Sequence, residues 1–246
     1  MGCKVCCYDT ASIPIAEYNK LAPTLLLDLD GTLVDTVPDL AAALNRLMAA
    51  RRFAPFSLTE TASMVGDGVA KLVERALAAR GAAFDPAAVE AFSADYSDHV
   101  AVESKLFPGV TETLQALATG GWCLAVCTNK PALAAQRLLT AVGLAPLITA
   151  VGAGDSFPVR KPNPAHLLAT LRAVGGEPSR AVMAGDNRND VLAAHGAGVP
   201  CVFCAWGYGP PSMGDRADAV ARDFPELGRI VRRLIDGASR KAAGNA

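Results

Sequence analysis

The apolar run Leu25-Leu26-Leu27 breaks into Asp28-Leu29-Asp30-Gly31-Thr32, and the two acids invite chemistry. The run reads as a buried parallel strand. Residues two apart on a strand share a face, so the carboxylates of Asp28 and Asp30 would stand side by side. Crowded carboxylates repel each other unless a cation sits between them. A hard ion such as Mg²⁺ suits these oxygens and leaves one carboxylate free to act as a nucleophile. By itself, the same string serves equally well as an Asx-type turn, because Asp and Gly favour turns. A calcium-binding EF-hand loop is disfavoured, since its other ligand positions and its closing Glu are missing.

Three later strings add reactive groups, each after an apolar stretch or before a helix start. Leu124-Ala125-Val126-Cys127 runs into Thr128-Asn129. Arg160-Lys161-Pro162-Asn163-Pro164 places a lysine ahead of a helix. Val182-Met183-Ala184-Gly185 runs into Asp186-Asn187-Arg188-Asn189-Asp190, a second acidic pair. Each has a structural explanation when taken singly. Asp186 and Asp190 suit the first turn of a helix, where acids oppose the dipole. Thr128-Asn129 suits a helix cap, and Lys161 suits an exposed surface.

Four such strings in this order resemble the motifs of the haloacid dehalogenase-like hydrolases and span most of the chain. The resemblance implies that Asp28 is a nucleophile forming an aspartyl phosphate. Asp30 would protonate the leaving alkoxide and then activate water. Relatives that cleave carbon–halogen bonds lack this second Asp, so Asp30 favours phosphoryl transfer. Thr128 and Asn129 would contact the phosphoryl oxygens, with Gly31 lining the same cradle. Lys161 would pair with phosphate and with Asp28 as a point charge. Mg²⁺ is the implied cofactor, held by Asp28, the Asp30 carbonyl and Asp186, with Asp190 as an outer carboxylate.

These groups need a scaffold that brings them to one place. Strands are expected at 24–29, 122–127, 147–151, 180–185 and 200–204, with helical patterns between them. That alternation predicts an α/β fold with a doubly wound parallel sheet. Ligands bind such sheets at the carboxyl ends of the strands, where all four motifs fall. The stretch 38–107 reads as helical, from the spacing of Leu40, Leu44, Leu47 and Met48 and of Val69, Leu72, Val73, Ala76 and Leu77. An insert there resembles the cap of the phosphoglycolate phosphatase branch. The expected organisation is an extension of little order over 1–22, a core over 23–37 and 108–238, a cap over 38–107 and a tail over 239–246.

Within the cap, Gly66-Asp67-Gly68-Val69-Ala70-Lys71 is a glycine-rich turn entering a helix. A helix amino end could take a small carboxylate, with Lys71 or Arg75 adding charge. The expected substrate is a small phosphorylated metabolite, most simply 2-phosphoglycolate. The alternatives are a sugar-phosphate phosphatase, a phosphoglucomutase-like enzyme and an inactive phospho-ligand binding protein.

The chain has 246 residues, 51% of them hydrophobic and 19% charged, which suits a full core. A net charge of −1 implies no nucleic-acid or membrane partner. No secretory signal or lipidation motif is evident, and the expected setting is the cytoplasm, as a monomer or homodimer. Seven cysteines are present, with Cys3, Cys6 and Cys7 clustered and Cys201 and Cys204 paired in spacing. A zinc site is disfavoured, because residues 201 and 204 on a strand face opposite sides. His99, His166 and His195 are expected to have packing or surface roles. The basic run through Arg229, Arg232, Arg233, Arg240 and Lys241 reads as the solvated side of a last helix.

Overall fold

The computed structural model describes residues 22–244, with side chains through 237. The expected extension over 1–22, with its three cysteines, lies almost wholly outside the described residues, as do the last two residues.

A six-stranded parallel sheet has the order β5-β4-β1-β6-β7-β8. The strands are β1 (Thr24–Leu27), β4 (Cys123–Cys127), β5 (Ala150–Gly152), β6 (Ala181–Gly185), β7 (Cys201–Cys204) and β8 (Ala219–Ala221). Strand β1 lies between β4 and β6, and all four of its residues are buried. Leu25 pairs with Leu124 on one side and Val182 on the other. Its side chains alternate between two cores: Leu25 and Leu27 pack in one, Leu26 in the other. Cys204 and Cys201 divide in the same way, which separates their thiols across the sheet.

Helices cover both faces, as short parallel connections require. They are α5 (Val110–Thr119), α6 (Ala132–Ala141), α7 (Pro164–Ala173), α8 (Arg188–Gly196) and α9 (Phe224–Gly244). The edge strand β8 has no counterpart among the expected strands, since three residues carry too little pattern. The expected strand at 147–151 begins later, at Ala150, because 3₁₀ geometry takes up Ala145–Leu147.

After β1 the chain forms an antiparallel ribbon of β2 (Val34–Asp35) with β3 (Lys105–Leu106). Between its two arms lie α1 (Val37–Ala50), α2 (Leu58–Ala62), α3 (Val69–Ala79) and α4 (Pro86–Asp98). In this helical insert Leu44, Met48, Val73, Leu77 and Phe92 are buried in a core continuous with that of one sheet face. Buried Asp39 ties the return path by accepting from the backbone N–H groups of Glu103 and Ser104. The ribbon was not legible as strand, because two-residue strands leave no periodicity.

Candidate active site

Strand β1 stops at Leu27, so Asp28 and Asp30 stand just beyond its carboxyl end. The Asp28 N–H donates to the Ala184 carbonyl at 2.9 Å, which fixes its backbone to β6. Gly31 follows with φ +82°, and a Cβ there would fall 2.5 Å from Asp186 Oδ2. Only glycine lets the turn come this close to the second acidic pair.

Asp186 follows β6 directly. Its Oδ1 accepts from the Thr32 hydroxyl at 3.0 Å, and its Oδ2 from the Tyr208 N–H at 2.7 Å and the Gly209 N–H at 3.3 Å. Asp190 sits in the first turn of α8, where its Oδ2 accepts from the Asn187 N–H at 3.0 Å and completes a capping box. The capping role therefore exists, and it coexists with a second contact: Lys161 Nζ donates to Asp190 Oδ1 at 2.6 Å. The same ammonium lies 2.9 Å from Asp28 Oδ1. The Lys161 side chain is 1% exposed, so it is an interior charge rather than a surface one.

Ligand oxygens of Asp28, Asp186 and Asp190 lie within 4.8 Å of one another. Three buried carboxylates face one lysine, leaving surplus negative charge. Burial, and then the charge of Asp28, pushes the Asp186 pKa up to about 6. Burial also raises Asp190, against the pull of Lys161. For Lys161, burial opposes the charge, but Asp190 and Asp28 outweigh it and raise its pKa. Asp28 Oδ1 has only the charge contact to Lys161 and no aligned hydrogen bond. An all-oxygen donor set, an unsatisfied carboxylate oxygen and excess charge fit a hard cation, with Asp28 and Asp186 holding it and Asp190 beside them.

The Asp30 side chain does not join that cluster. The expectation of one cation shared between the Asp28 and Asp30 carboxylates meets a different arrangement. Asp30 Oδ1 accepts from the Thr36 hydroxyl at 2.8 Å and from Lys130 Nζ at 2.8 Å. Its balancing cation is a lysine, which leaves its backbone carbonyl as what it could offer a metal. Lys130 also donates to the Tyr96 hydroxyl at 2.7 Å. Burial opposes the charge on Lys130, but Asp30 and then Tyr96 outweigh it and raise its pKa.

Thr128 is buried at the end of β4, and its Oγ accepts from the Lys130 N–H at 3.2 Å. The Asn129 amide is committed to the carbonyls of Gly66 and Lys161, each at 3.0 Å. It therefore fastens the glycine-rich loop before α3 to the core. Asn189 does likewise, donating to Asp67 Oδ1 at 2.6 Å and to Gly66 O at 3.3 Å.

The structure gives Arg75 and Lys71 other partners than a ligand. Arg75 pairs with Asp67 and donates to the Met64 carbonyl at 2.9 Å, bracing the loop. Lys71 is 51% exposed and pairs with Glu74 at 2.6 Å. Neither lines the small cavity between insert and core. That space is bounded by Asp28, Asp30, Thr128, Asn129 and Lys130 on the core side. Leu40, Val65, Val69, Leu72 and Tyr96 bound it on the other. A wider opening beside it reaches Asp186, Asn187 and Tyr208.

Lys130, Tyr96 and Tyr208 had escaped sequence reasoning. Lys130 follows Thr128-Asn129 directly, so its position was visible, but its burial depends on a tyrosine 34 residues away. Tyr208 carried a signal in Gly207-Tyr208-Gly209, an aromatic between glycines just past a strand. His166 is fully buried, with Nε2 2.9 Å from the Ala153 carbonyl, in a packing role.

A six-stranded parallel sheet with reactive carboxylates, a threonine and a lysine at one edge defines a class. A family model described as haloacid dehalogenase-like hydrolase matches residues 22–198. The chain belongs to this family. It is 47% identical to a phosphoglycolate phosphatase of Caulobacter vibrioides, over 86% of this chain and 92% of that one. It is 40% identical to another of Agrobacterium fabrum, over 84% and 91%. Among solved structures, a predicted phosphoglycolate phosphatase from Haemophilus somnus superposes with a TM-score of 0.79 at 32% identity. That match covers 85% of this chain and 97% of that one. The chain falls in the phosphoglycolate phosphatase-like branch and is a phosphoric monoester hydrolase.

Proposed function

We propose that the protein hydrolyses 2-phosphoglycolate with Mg²⁺ through an aspartyl phosphate on Asp28. The observation that carries this is the setting of Asp28. A buried carboxylate oxygen without an aligned hydrogen bond sits beside Lys161, next to two further carboxylates, at the mouth of a small cavity.

Phosphate monoesters resist hydrolysis so strongly that enzymes must accelerate it by up to about 10²¹-fold. Two displacements at phosphorus divide the barrier. Asp28 forms a bond to phosphorus while the bond to the leaving oxygen breaks. Asp30, entering this step as the carboxylic acid, gives that oxygen its proton. Water then attacks phosphorus, Asp30 takes the proton back, and phosphate leaves with Asp28 restored. Lys161 holds Asp28 in place, and the Thr128 hydroxyl is available to a phosphoryl oxygen. A bound Mg²⁺ would offset the repulsion between nucleophile and phosphate; Asp28, Asp186 and the Asp30 carbonyl are its proposed ligands, with Asp190 supporting it.

The cavity walls favour a small substrate. Leu40, Val65, Val69 and Leu72 offer no partners to the hydroxyl groups of a sugar. No helix among the described residues is long and apolar enough to cross a membrane. The four described cysteines are unpaired, in keeping with a reducing cytoplasm.

The test is a panel of phosphate esters assayed for phosphate release with Mg²⁺, with Ca²⁺ and after chelation. The expected result is highest kcat/KM for 2-phosphoglycolate, dependence on Mg²⁺ and inhibition by Ca²⁺. Preference for a sugar phosphate would overturn the substrate, phosphoryl return without phosphate release would indicate a mutase, and full activity after chelation would overturn the metal.

A further inference from the structure

The cavity contains a buried cation that the phosphoryl chemistry does not use. Lys161 serves Asp28 and Asp190, whereas Lys130 lies on the insert side of Asp30. An ammonium has three N–H donors. Two are directed to Asp30 Oδ1 at 2.8 Å and Tyr96 Oη at 2.7 Å. Leu40, Val69 and Leu72 line the same cavity, so Lys130 is its one cationic side chain.

We propose that Lys130, aimed by Tyr96, is the subsite for the carboxylate of the substrate, and so selects a short phosphorylated acid. The proposal rests on the phosphatase reading above and deepens it. Asp30 must hydrogen-bond the leaving oxygen in order to protonate it. In a 2-carbon acid the carboxylate carbon is two bonds from that oxygen, so the two groups need neighbouring partners. Lys130 and Asp30 are such neighbours. Their contact also explains how the cation stays balanced. Once Asp30 turns to the leaving oxygen, the buried Lys130 loses its counter-ion. A substrate carboxylate replaces it; an uncharged ester does not. Tyr96 comes from α4 of the insert, so the subsite is whole only when insert and core are together. Burial raises the Tyr96 pKa to about 12, so its hydroxyl stays neutral and keeps accepting from the ammonium.

The test compares the native enzyme with Lys130→Met and Tyr96→Phe, all checked for thermal unfolding. Hydrolysis of 2-phosphoglycolate is set against that of ethyl phosphate, which lacks the carboxylate. Lys130→Met should lose at least roughly tenfold more kcat/KM on the acid than on the ethyl ester. Tyr96→Phe preserves the ring and its packing, and should give a smaller differential in the same direction. Equal losses on both esters overturn the subsite and leave Lys130 as a positioning residue for Asp30. An independent measurement uses glycolate and inorganic phosphate as inhibitors of nitrophenyl phosphate hydrolysis. Lys130→Met should weaken glycolate at least roughly tenfold and phosphate far less. Absence of glycolate inhibition in the native enzyme, or inhibition unchanged in the variant, overturns the proposal. A native preference for a sugar phosphate overturns the substrate reading instead, and the glycolate result still decides the subsite.

Discussion

The Tyr208 N–H donates to Asp186 Oδ2 at 2.7 Å, and the hydroxyl of the same residue donates to Asp35 Oδ1, also at 2.7 Å. That hydroxyl accepts from the N–H groups of Thr36 at 2.7 Å and Val37 at 3.1 Å. One residue thus links a carboxylate of the charged cluster to the segment where the chain enters the helical insert. Tyr208→Phe should strand two backbone donors and destabilise the fold by about 1–3 kcal/mol. It should also weaken apparent Mg²⁺ affinity by several-fold. Thermal unfolding and a metal titration of activity check both; an unchanged midpoint and titration would make the link inert.

Asp28→Asn should abolish turnover and leave the fold intact. The amide has nearly the same shape but is a poor nucleophile, and it relieves crowding among three carboxylates. Phosphate release at native rates from a folded variant would remove Asp28 from its role.

Asp30→Asn should depend on the leaving group. With nitrophenyl phosphate the first step needs little protonation, so the loss should be smaller than with an alkyl ester, where it should reach about 10²–10⁴-fold. Equal losses would count against Asp30 as the acid.

Metal-free protein should show a pH trend that ion binding reverses. The Asp186 pKa is raised to about 6, because burial and Asp28 disfavour its charge. The native state therefore holds the proton more tightly than the unfolded chain does. The stabilisation is fully present below about pH 4 and lost as pH rises through about 6, amounting to roughly 3 kcal/mol for a shift of this size. The unfolding midpoint of chelated protein should fall between about pH 4 and about pH 6, and less steeply in Asp186→Asn. Adding Mg²⁺ near pH 7 should raise the native midpoint by occupying the charged cluster. Identical slopes in the two chelated proteins would show that Asp186 is not the group responsible.

Much of the sheet was legible because β1, β4, β6 and β7 are apolar runs buried on both faces. Each run ends at an abrupt change of chemistry, which also marked Asp28, Thr128 and Asp186. The ribbon of β2 with β3 and the edge strand β8 were not legible, since pairing across 71 residues leaves no local mark on Val34 or Leu106. The balance of charge around Asp30 was hidden for a similar reason. Sequence gives the spacing of Asp28 and Asp30, but only the fold shows that Lys130 arrives beside the second acid. Lys71 and Arg75 stood out by position near a glycine-rich turn. Their partners Glu74 and Asp67 lie three and eight residues away, and distance along the chain does not tell which charges will meet.

The ribbon where the insert leaves and rejoins the core has one more consequence. Val34 faces Leu106, so the chain departs and returns at a single point. To the sheet, everything between behaves as one long loop, and closing a loop becomes only slowly costlier as it lengthens. Asp28, Thr128, Lys161 and Asp186 all lie outside that loop, whereas Tyr96 and Leu72 lie inside it. The residues proposed to break the ester therefore all sit outside the loop, while the proposed acid subsite is divided, with Lys130 on the core and Tyr96 on the replaceable stretch. Exchanging 37–104 for another helical insert of matching ends should change the substrate and leave the proposed phosphoryl chemistry in place.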